Sequence, residues 1–325
     1  MTSSRTSGVV LVLLAATLWG TTGTAAALAP GVGALAIGAA AMGVGGLLQA
    51  AVASRSMLAH RAALAAQWRT LAFAALAVAV YPLAFYSSMR LAGVTVGTVV
   101  SIGSAPATAA LIERVADGRP LSRGWALGTA IGVAGVLALA LAHPAGEGAA
   151  TTGSRPVLGI ALGVLAGLTY ALYSWGAARV MRRGVPGRAV MGTVFGLGAL
   201  LLLPVLLLTG APILVSGGNL AVAAYLAVVP MFLGYVLFGR GLSRVEASTA
   251  TTVSLLEPAV AALVAVVVLG EGLPLLGWGG VALLFVSLVI TARSTRAIPA
   301  QSRSARRTAR WPADVAATSS TTRAP

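Results

Sequence analysis

The chain carries one sequence pattern twice, with a constant offset of 152 positions between the copies. Residues 94–128 correspond to residues 246–280. The matched positions are Pro106 with Pro258, Gly118 with Gly270 and Gly128 with Gly280. Since proline bends a helix and glycine permits a tight turn, these matches predict the same kink and the same turn in each copy. The pattern predicts a fold built from two equivalent helical units, with function expected between them.

Composition places the predicted helices in a membrane. Hydrophobic residues make up 58% of the chain and charged residues 9%, and the mean hydropathy is +0.93. The apolar segments are about 20 residues long, the length of a helix that crosses a bilayer. We therefore predict an all-α integral membrane protein with ten transmembrane helices. Numbered helix 1 to helix 10, they span residues 8–28, 32–53, 67–88, 94–113, 124–142, 157–180, 189–209, 219–239, 247–269 and 274–292.

The distribution of arginine predicts how the chain is oriented. All 22 basic residues are arginines, and a cytoplasmic N-terminus places 20 of them on the cytoplasmic side, leaving Arg90 and Arg155 outside. Positive charge favours the cytoplasmic side, so we expect a multi-pass protein of the cell inner (cytoplasmic) membrane with both termini in the cytoplasm. Helix 2 is the weakest span because its apolarity comes from Ala and Gly, which suit close helix packing. If helix 2 did not span the membrane, the nine remaining spans would place the later arginine clusters outside the cytoplasm, against this charge preference.

The predicted organisation follows from these spans. A short cytoplasmic N-terminus (1–7) precedes the first repeat (8–142), an extracytoplasmic linker (143–156), the second repeat (157–292) and an arginine-rich cytoplasmic tail (293–325). Because each repeat holds an odd number of helices, the second copy is inverted relative to the first. Inverted repeats are the geometry of alternating access, in which a central site opens to each side in turn.

The tail, residues 293–325, is predicted to be disordered. It holds seven arginines among Ser, Thr, Ala and Pro, with no apolar periodicity that could build a core. Its charge favours contact with anionic membrane lipid. Nucleic acid is not an expected partner, because Trp311 is the only aromatic residue of the tail and provides no stacking platform.

Two motifs relate the chain to a known family. The letters LWG occur at Leu18–Gly20, and the stretch LLEPAVAALVAVVVLGEGLPLLGWGG begins at Leu255. With the doubled five-helix layout, they resemble the EamA family of the drug/metabolite transporter superfamily over about residues 9–292. The resemblance implies a ten-helix exporter or exchanger of small metabolites, with a central pathway lined mainly by helices 1, 3, 4, 6, 8 and 9. Helices 5 and 10 are similar to the peripheral packing helices of that family.

The first copy departs from the family pattern at two acidic positions. Ala105 stands where the second copy has Glu257, and Arg119 stands where it has Glu271. Equal chemical roles for the two halves are therefore not expected. Glu257 is the one carboxylate well inside a predicted span, where an ionised side chain is costly unless it is paired or hydrated. It is either a substrate or coupling residue, or a structural residue that is protonated or hydrogen-bonded to hydroxyls of helix 4 or 9 near the kink at Pro258.

Aromatic and hydroxyl residues supply the other candidates for a binding site. For a pocket we predict Trp19, Tyr81, Tyr170 and Tyr235, with ordinary core packing as the alternative. Helices 4 and 9 are rich in small hydroxyls, of which Ser101 and Thr252 are the candidates for a wetted pathway wall. The alternative for these hydroxyls is that they let helices pack closely and bond back to their own carbonyls.

Prolines recur at equivalent places in the two copies and suggest hinges. Offsets of 148 and 152 positions relate Pro82 to Pro230 and Pro106 to Pro258, in helices 3, 8, 4 and 9. We predict that these helices bend there to open each side in turn.

Arginines Arg90 and Arg240 end helices 3 and 8 on opposite faces of the membrane. They either reach the lipid headgroups or attract anionic substrates at the two mouths.

Several functions are excluded or disfavoured by what the sequence lacks. With no cysteine, it has no disulfide and no thiolate nucleophile, and its two histidines fall in separate loops, so we predict no metal site. No nucleotide-binding loop is present, and no cofactor is expected. We predict a secondary transporter that exports small metabolites or amino-acid-like compounds, and not an enzyme. The alternatives are an intramembrane lipid-handling protein or enzyme, and a receptor or scaffold; the oligomeric state is left open.

Overall fold

Helices that could cross a membrane make up most of the chain. The computed structural model describes residues 2–29, 31–92, 94–118, 122–142, 156–264, 266–267 and 272–294. Within those residues there is no strand, and ten helices are long and apolar enough to cross a membrane. The predicted all-α membrane fold with ten spans is therefore confirmed. Most of the predicted linker and tail, with Arg119, Arg155, Gly270 and Glu271, lies outside the described residues.

Seven of the spans are continuous helices. They are helix 2 (Ala34–Ala59), helix 3 (Trp68–Ala92), helix 4 (Val94–Asp117), helix 5 (Arg123–Ala142), helix 6 (Pro156–Arg182), helix 7 (Gly187–Thr209) and helix 10 (Leu275–Ser294). A short helix, Arg61–Ala65, connects helices 2 and 3, and a 3-10 turn, Ala211–Val215, connects helices 7 and 8.

The other three spans are irregular. Helix 1 consists of Thr2–Trp19 and Thr22–Ala27, and helix 9 of Ala247–Val253 and Leu256–Val264. Helix 8 runs from Gly217 to Leu242 with a π-helical stretch at Ala227–Gly234. Bends were predicted in helices 8 and 9 from their prolines, whereas helix 1 was expected to be one regular helix, and that expectation is corrected. Non-helical backbone within a membrane is tolerated where it lies inside the protein or lines a cavity.

Proline accounts for the irregular backbone in helices 8 and 9. Pro230 lies inside the π-helical stretch of helix 8. Pro258 has no N–H to donate to the carbonyl of Ser254, and that carbonyl accepts a hydrogen bond from the Glu257 N–H at 3.0 Å instead. Pro82 and Pro106, their counterparts in the first copy, lie within continuous helices 3 and 4.

The two repeats interlock along their lengths. Helix 2 packs on helix 7, helix 4 on helix 9 and helix 5 on helix 10, so each of these helices contacts its own counterpart. Helix 3 packs on helix 6, and its counterpart helix 8 packs on helix 1. Exchanging the two copies therefore reproduces the main packing pairs. The helices that surround the centre of the molecule come from both halves.

Small residues permit this close packing, as the composition of helix 2 predicts. At Gly45, a Cβ atom would lie 2.7 Å from the Cβ of Met231 in helix 8. Between helices 5 and 10, the Ser287 hydroxyl donates to the Gly128 carbonyl at 2.6 Å. Gly118, predicted to form a turn after helix 4, has φ +64 and its N–H donates to the Arg114 carbonyl at 3.1 Å.

Candidate functional site

The irregular parts of helices 1, 8 and 9 meet at one narrow cavity, here called the central cavity. Its walls come from helices 1, 2, 3, 6, 8 and 9. Helix 4, which the family resemblance placed on the pathway, supplies no wall residue, and helix 2 contributes Gly38, Ala41 and Met42 instead. The space that water can occupy is about 20 Å³, which holds about one ordered water. A metabolite can enter only if the walls separate.

The four aromatic residues predicted for a pocket come together in the walls of this cavity. The ring centroid of Trp19 lies 4.8 Å from that of Tyr235 and 6.3 Å from that of Tyr170. Tyr81 lies 5.7 Å from Tyr170. Phe85 and Tyr86 add two further rings, so six aromatic side chains line the space.

Hydrogen bonds hold three of these rings in place. The Trp19 indole N–H donates to the carbonyl of Pro230 at 2.9 Å, within the π-helical stretch of helix 8. The Tyr170 hydroxyl pairs with the Ser254 hydroxyl at 2.7 Å, next to the break in helix 9. The Tyr235 hydroxyl pairs with that of Tyr173 at 2.8 Å. The irregular backbone of helices 8 and 9 thus takes part in orienting the walls, and little rearrangement of these rings is needed to form an aromatic surface.

Glu257 lies in the first turn after the break in helix 9 and lines the same cavity. Its side chain is buried, with 8% of the residue exposed. In the part of the chain that the structure describes, its carboxylate forms no hydrogen bond and no ion pair, so the expected bonding to hydroxyls of helix 4 or 9 is not present there. The carboxylate faces the one narrow space between the aromatic rings.

Two hydroxyl groups in the walls also lack a partner among the described residues. They are Oγ1 of Thr22, in the second part of helix 1, and the phenol oxygen of Tyr86, in helix 3. Sequence analysis missed Thr22 and did not favour Tyr86. The available signals were that Thr22 follows the LWG motif closely and that Tyr86 lies one helical turn after Pro82.

The two predicted hydroxyl candidates lie away from the cavity. The Thr252 hydroxyl donates to the Ser248 carbonyl at 2.9 Å and contacts the Trp125 indole nitrogen at 3.1 Å, joining helix 9 to helix 5. Ser101 is fully buried in helix 4 and does not line the cavity. The contacts of Thr252 match the alternative that small hydroxyls support helix packing. The Ser101 hydroxyl has no hydrogen-bond partner among the described residues. Of the predicted hinge prolines, Pro82 lines the cavity, while Pro230 and Pro258 neighbour it in sequence; bending at these residues stays a prediction.

A polar cluster, here called the latch, joins the end of helix 4 to the end of helix 6. The Asp117 carboxylate accepts hydrogen bonds from Arg179, from Arg182 at 2.7 Å and from the Trp175 indole N–H at 2.9 Å. The guanidinium of Arg179 also lies 5.2 Å from the centroid of the Trp175 ring. The latch lies on the side of the molecule predicted to be cytoplasmic. Sequence analysis missed it, although Arg179 and Arg182 are three residues apart and share a helix face.

Glu113 forms a second link on the same side. It was placed at a span end in the sequence, but only 2% of it is exposed, and its carboxylate accepts the Ala247 N–H at 2.9 Å. It therefore caps the beginning of helix 9 from helix 4. In the second copy, the positions that match Glu113 and Asp117 are Ala265 and Leu269. The carboxylates of this side have no sequence equivalent on the other.

The sequence model of the EamA-like transporter family matches the chain twice, over residues 6–141 and 157–293. The chain belongs to the EamA-like transporter family. An uncharacterized transporter of Bacillus subtilis (strain 168), YwfM, is 34% identical over 291 residues, which are 88% of this chain and 94% of that protein. An uncharacterized transporter of Clostridium kluyveri is 28% identical over 147 residues, covering 44% of this chain and 47% of that protein.

A solved crystal structure, described only as that of a protein, shares the fold. It is 21% identical, has a TM-score of 0.69, and the match covers 94% of this chain and 99% of that one. The family and the ten apolar helices identify the chain as a multi-pass membrane transporter. A transporter of this family takes a small-molecule substrate, and the walls of the central cavity come from both repeats.

Proposed function

We propose that the chain is a secondary transporter that exports small metabolites or amino-acid-like compounds by alternating access between its two repeats. The central cavity carries this proposal. It combines a buried carboxylate, six aromatic rings and the irregular backbone of helices 1, 8 and 9. Broken helices with polar groups deep in a membrane bundle are typical of transporter binding sites.

The link between the two repeats supports alternating access as the mechanism. Residues of both copies form the cavity walls, since Trp19 and Tyr81 belong to the first and Tyr170 and Glu257 to the second. A rotation of one repeat against the other separates these walls and enlarges the narrow space. The latch between helices 4 and 6 holds one side together in the described conformation. Opening that side requires the ion pairs of Asp117 to break.

The direction of transport and the orientation of the chain belong to the same proposal. The arginine distribution supports an inner-membrane protein with both termini in the cytoplasm, and it places the latch on the cytoplasmic side. A cytoplasmic latch that must open before substrate enters fits an exporter, because entry from the cytoplasm is then the controlled step. The arginine-rich segment after helix 10 is proposed to contact anionic lipid on that side.

The alternative of an intramembrane enzyme would need several reactive groups at one depth. Among the residues that line the central cavity, Glu257 is the only carboxylate, and no histidine lies beside it. The other described buried carboxylate, Glu113, caps helix 9 elsewhere. No described feature favours catalysis over transport.

Efflux from proteoliposomes tests the proposal. Purified protein is reconstituted into vesicles loaded with a mixed pool of amino acids and other small metabolites, and the compounds lost are identified by mass spectrometry with and without a pH gradient. We expect selective loss of some compounds from vesicles that contain the wild-type protein, and no selective loss from loaded vesicles without protein. If Glu257→Gln abolishes the effect of the gradient, Glu257 couples transport to protons; if the selective loss is unchanged, the protein is a facilitator in which Glu257 is structural. Loss of no compound at all contradicts the proposed function.

A further inference from the structure

The central cavity contains an ionisable carboxyl group without a basic partner in its walls. Glu257 is buried, and no basic side chain is among the residues that line the space around it. A buried ionised carboxylate is costly unless an opposite charge or several hydrogen bonds compensate for it. The described part of the protein supplies neither to Glu257. When Glu257 is ionised, the compensating charge must therefore come from a ligand or ion that enters the cavity.

The cavity also contains two hydroxyl groups that can accept hydrogen bonds from a ligand. The hydroxyls of Thr22 and Tyr86 are buried, line the same space and have no partner among the described residues. Buried polar groups without partners are rare in folded proteins and call for a ligand, a water molecule or an ion. An ammonium group has three N–H donors and no acceptor. The Glu257 carboxylate and the two hydroxyl oxygens could accept one hydrogen bond each from these three donors.

The remaining walls favour the same kind of ligand. Six aromatic rings line the cavity, and the ring centroid of Tyr170 lies 6.3 Å from that of Trp19 and 5.7 Å from that of Tyr81. Aromatic faces attract cations, and tryptophan does so most strongly. Their area also suits an apolar or aromatic body attached to the charged group. By contrast, the carboxylate of a bound amino acid would be repelled by the Glu257 carboxylate, and no basic side chain in the walls would offset that repulsion.

We propose that the central cavity selects monocationic amphipathic amines, with Glu257 as the counter-charge of the ammonium group and Thr22 and Tyr86 as further acceptors. The proposal rests on the proposed function only in taking this cavity as the transport site. It narrows the substrate class from amino-acid-like compounds in general to compounds that carry an ammonium group without a carboxylate.

Equilibrium binding to the purified full-length protein in lipid nanodiscs tests the proposal. The probes are phenethylamine, its neutral counterpart phenylethanol and the zwitterion phenylalanine, with cyclohexylamine and cyclohexanol as a pair that lacks the aromatic ring. The readouts are the thermal stabilisation at rising ligand concentration and the tryptophan fluorescence. We expect phenethylamine to bind at least about tenfold more tightly than phenylethanol or phenylalanine. Phenylethanol lacks the charge-assisted contact to Glu257, and phenylalanine brings a carboxylate that no basic side chain in the walls balances.

Two variants and one control show whether this preference comes from the cavity. Glu257→Gln should remove the preference for the amine, and Tyr86→Phe should reduce the affinity for the amine by about threefold, the effect of one hydrogen bond. Glu246→Gln removes the same charge just before helix 9, outside the cavity walls, and should leave the preference intact. Equal binding of amine, alcohol and zwitterion, no binding of either amine, or a preference that survives Glu257→Gln would overturn the proposal.

Counterflow in proteoliposomes separates this inference from the proposed function. Transport of neutral or zwitterionic compounds without transport or binding of amines would leave the function standing and reject the substrate class. Amine binding that depends on Glu257, in a protein that moves no compound across the membrane, would support the site and reject the transport function. Amine transport that Glu257→Gln abolishes and Glu246→Gln preserves supports both.

Discussion

Breaking the latch should open the side of the protein that it closes. Asp117→Asn keeps the size of the side chain but removes the charge that Arg179 and Arg182 share. In the described conformation the side chain of Asp117 is 10% exposed, while those of Arg179 and Arg182 are 30% and 16% exposed. Removing one partner of a fully buried pair costs about 3–5 kcal/mol, and an exposed pair contributes about 0–1 kcal/mol. For this partly exposed cluster we expect about 2 kcal/mol.

If the latch breaks when its side of the protein opens, the lost interaction energy shifts the equilibrium between the closed and open states of that side. A change of about 2 kcal/mol raises the population of the open state about 30-fold, since every 1.4 kcal/mol is a factor of ten. The sequence contains no cysteine, so a single introduced cysteine reports accessibility without background. Ser174 in helix 6 lies between the cavity residue Tyr170 and the latch, and it is fully buried.

The assay is the labelling rate of Ser174→Cys by a membrane-impermeant maleimide. Labelling of a buried site requires opening, so its rate follows the population of the open state. We expect Asp117→Asn to raise the rate about 30-fold and Arg182→Gln to change it in the same direction. Asp314→Asn, the only other aspartate, is the matched control and should have no effect. Unchanged labelling in Asp117→Asn, with the helical circular dichroism preserved, would show that the latch does not hold this side closed.

Three further changes test individual contacts by thermal unfolding and transport. Glu113→Ala leaves the first amide of helix 9 without its acceptor and should lower the unfolding free energy by about 1–2 kcal/mol. Glu113→Gln keeps an oxygen that can accept this hydrogen bond, so it should retain most of the wild-type stability. Gly45→Leu places side-chain atoms against Met231 and should cost about 1–3 kcal/mol or prevent assembly, with Gly31→Leu, which has open space, as the control. Trp19→Phe should cost about 1 kcal/mol and raise KM in the efflux assay, because the bond to the Pro230 carbonyl that orients the ring is lost.

The sequence predicted the helices well because membrane helices leave a strong signal. Ten apolar segments and the arginine distribution were enough to number the spans, and the helix 2 prediction held although its apolarity comes from small residues. The break in helix 1 was not predicted, and the kink predicted at Pro258 occurs as a break at residues 254–255 of helix 9. Gly20 and Ser254 are common inside helices, and whether the backbone breaks there depends on which partner its polar groups find across the bundle.

The site was predicted only in part, for a similar reason. Trp19, Tyr81, Tyr170 and Tyr235 are large aromatic residues near the middle of predicted spans, so chemistry and depth identified them. Thr252 has a suitable side chain at a suitable depth, but it faces Trp125 in helix 5 rather than the cavity. Which face of a helix points to the centre is set by packing between helices, which a single sequence does not record.

In the proposed alternating-access cycle, the latch makes the closed states of the two sides unequal in energy. The carboxylates Glu113 and Asp117 link helix 4 to helices 9 and 6 on one side, while Ala265 and Leu269 occupy the matching positions on the other. If the two sides were alike, the repeat would give inward-open and outward-open states of similar energy. Among the described residues, the ion pairs of Asp117 with Arg179 and Arg182 stabilise the state in which their side is closed. A ligand that binds the central cavity must then favour the opposite state by a comparable amount to drive a full cycle. An uncompensated carboxylate at Glu257, in walls shared by both repeats, is a group from which a cationic ligand can draw that binding energy.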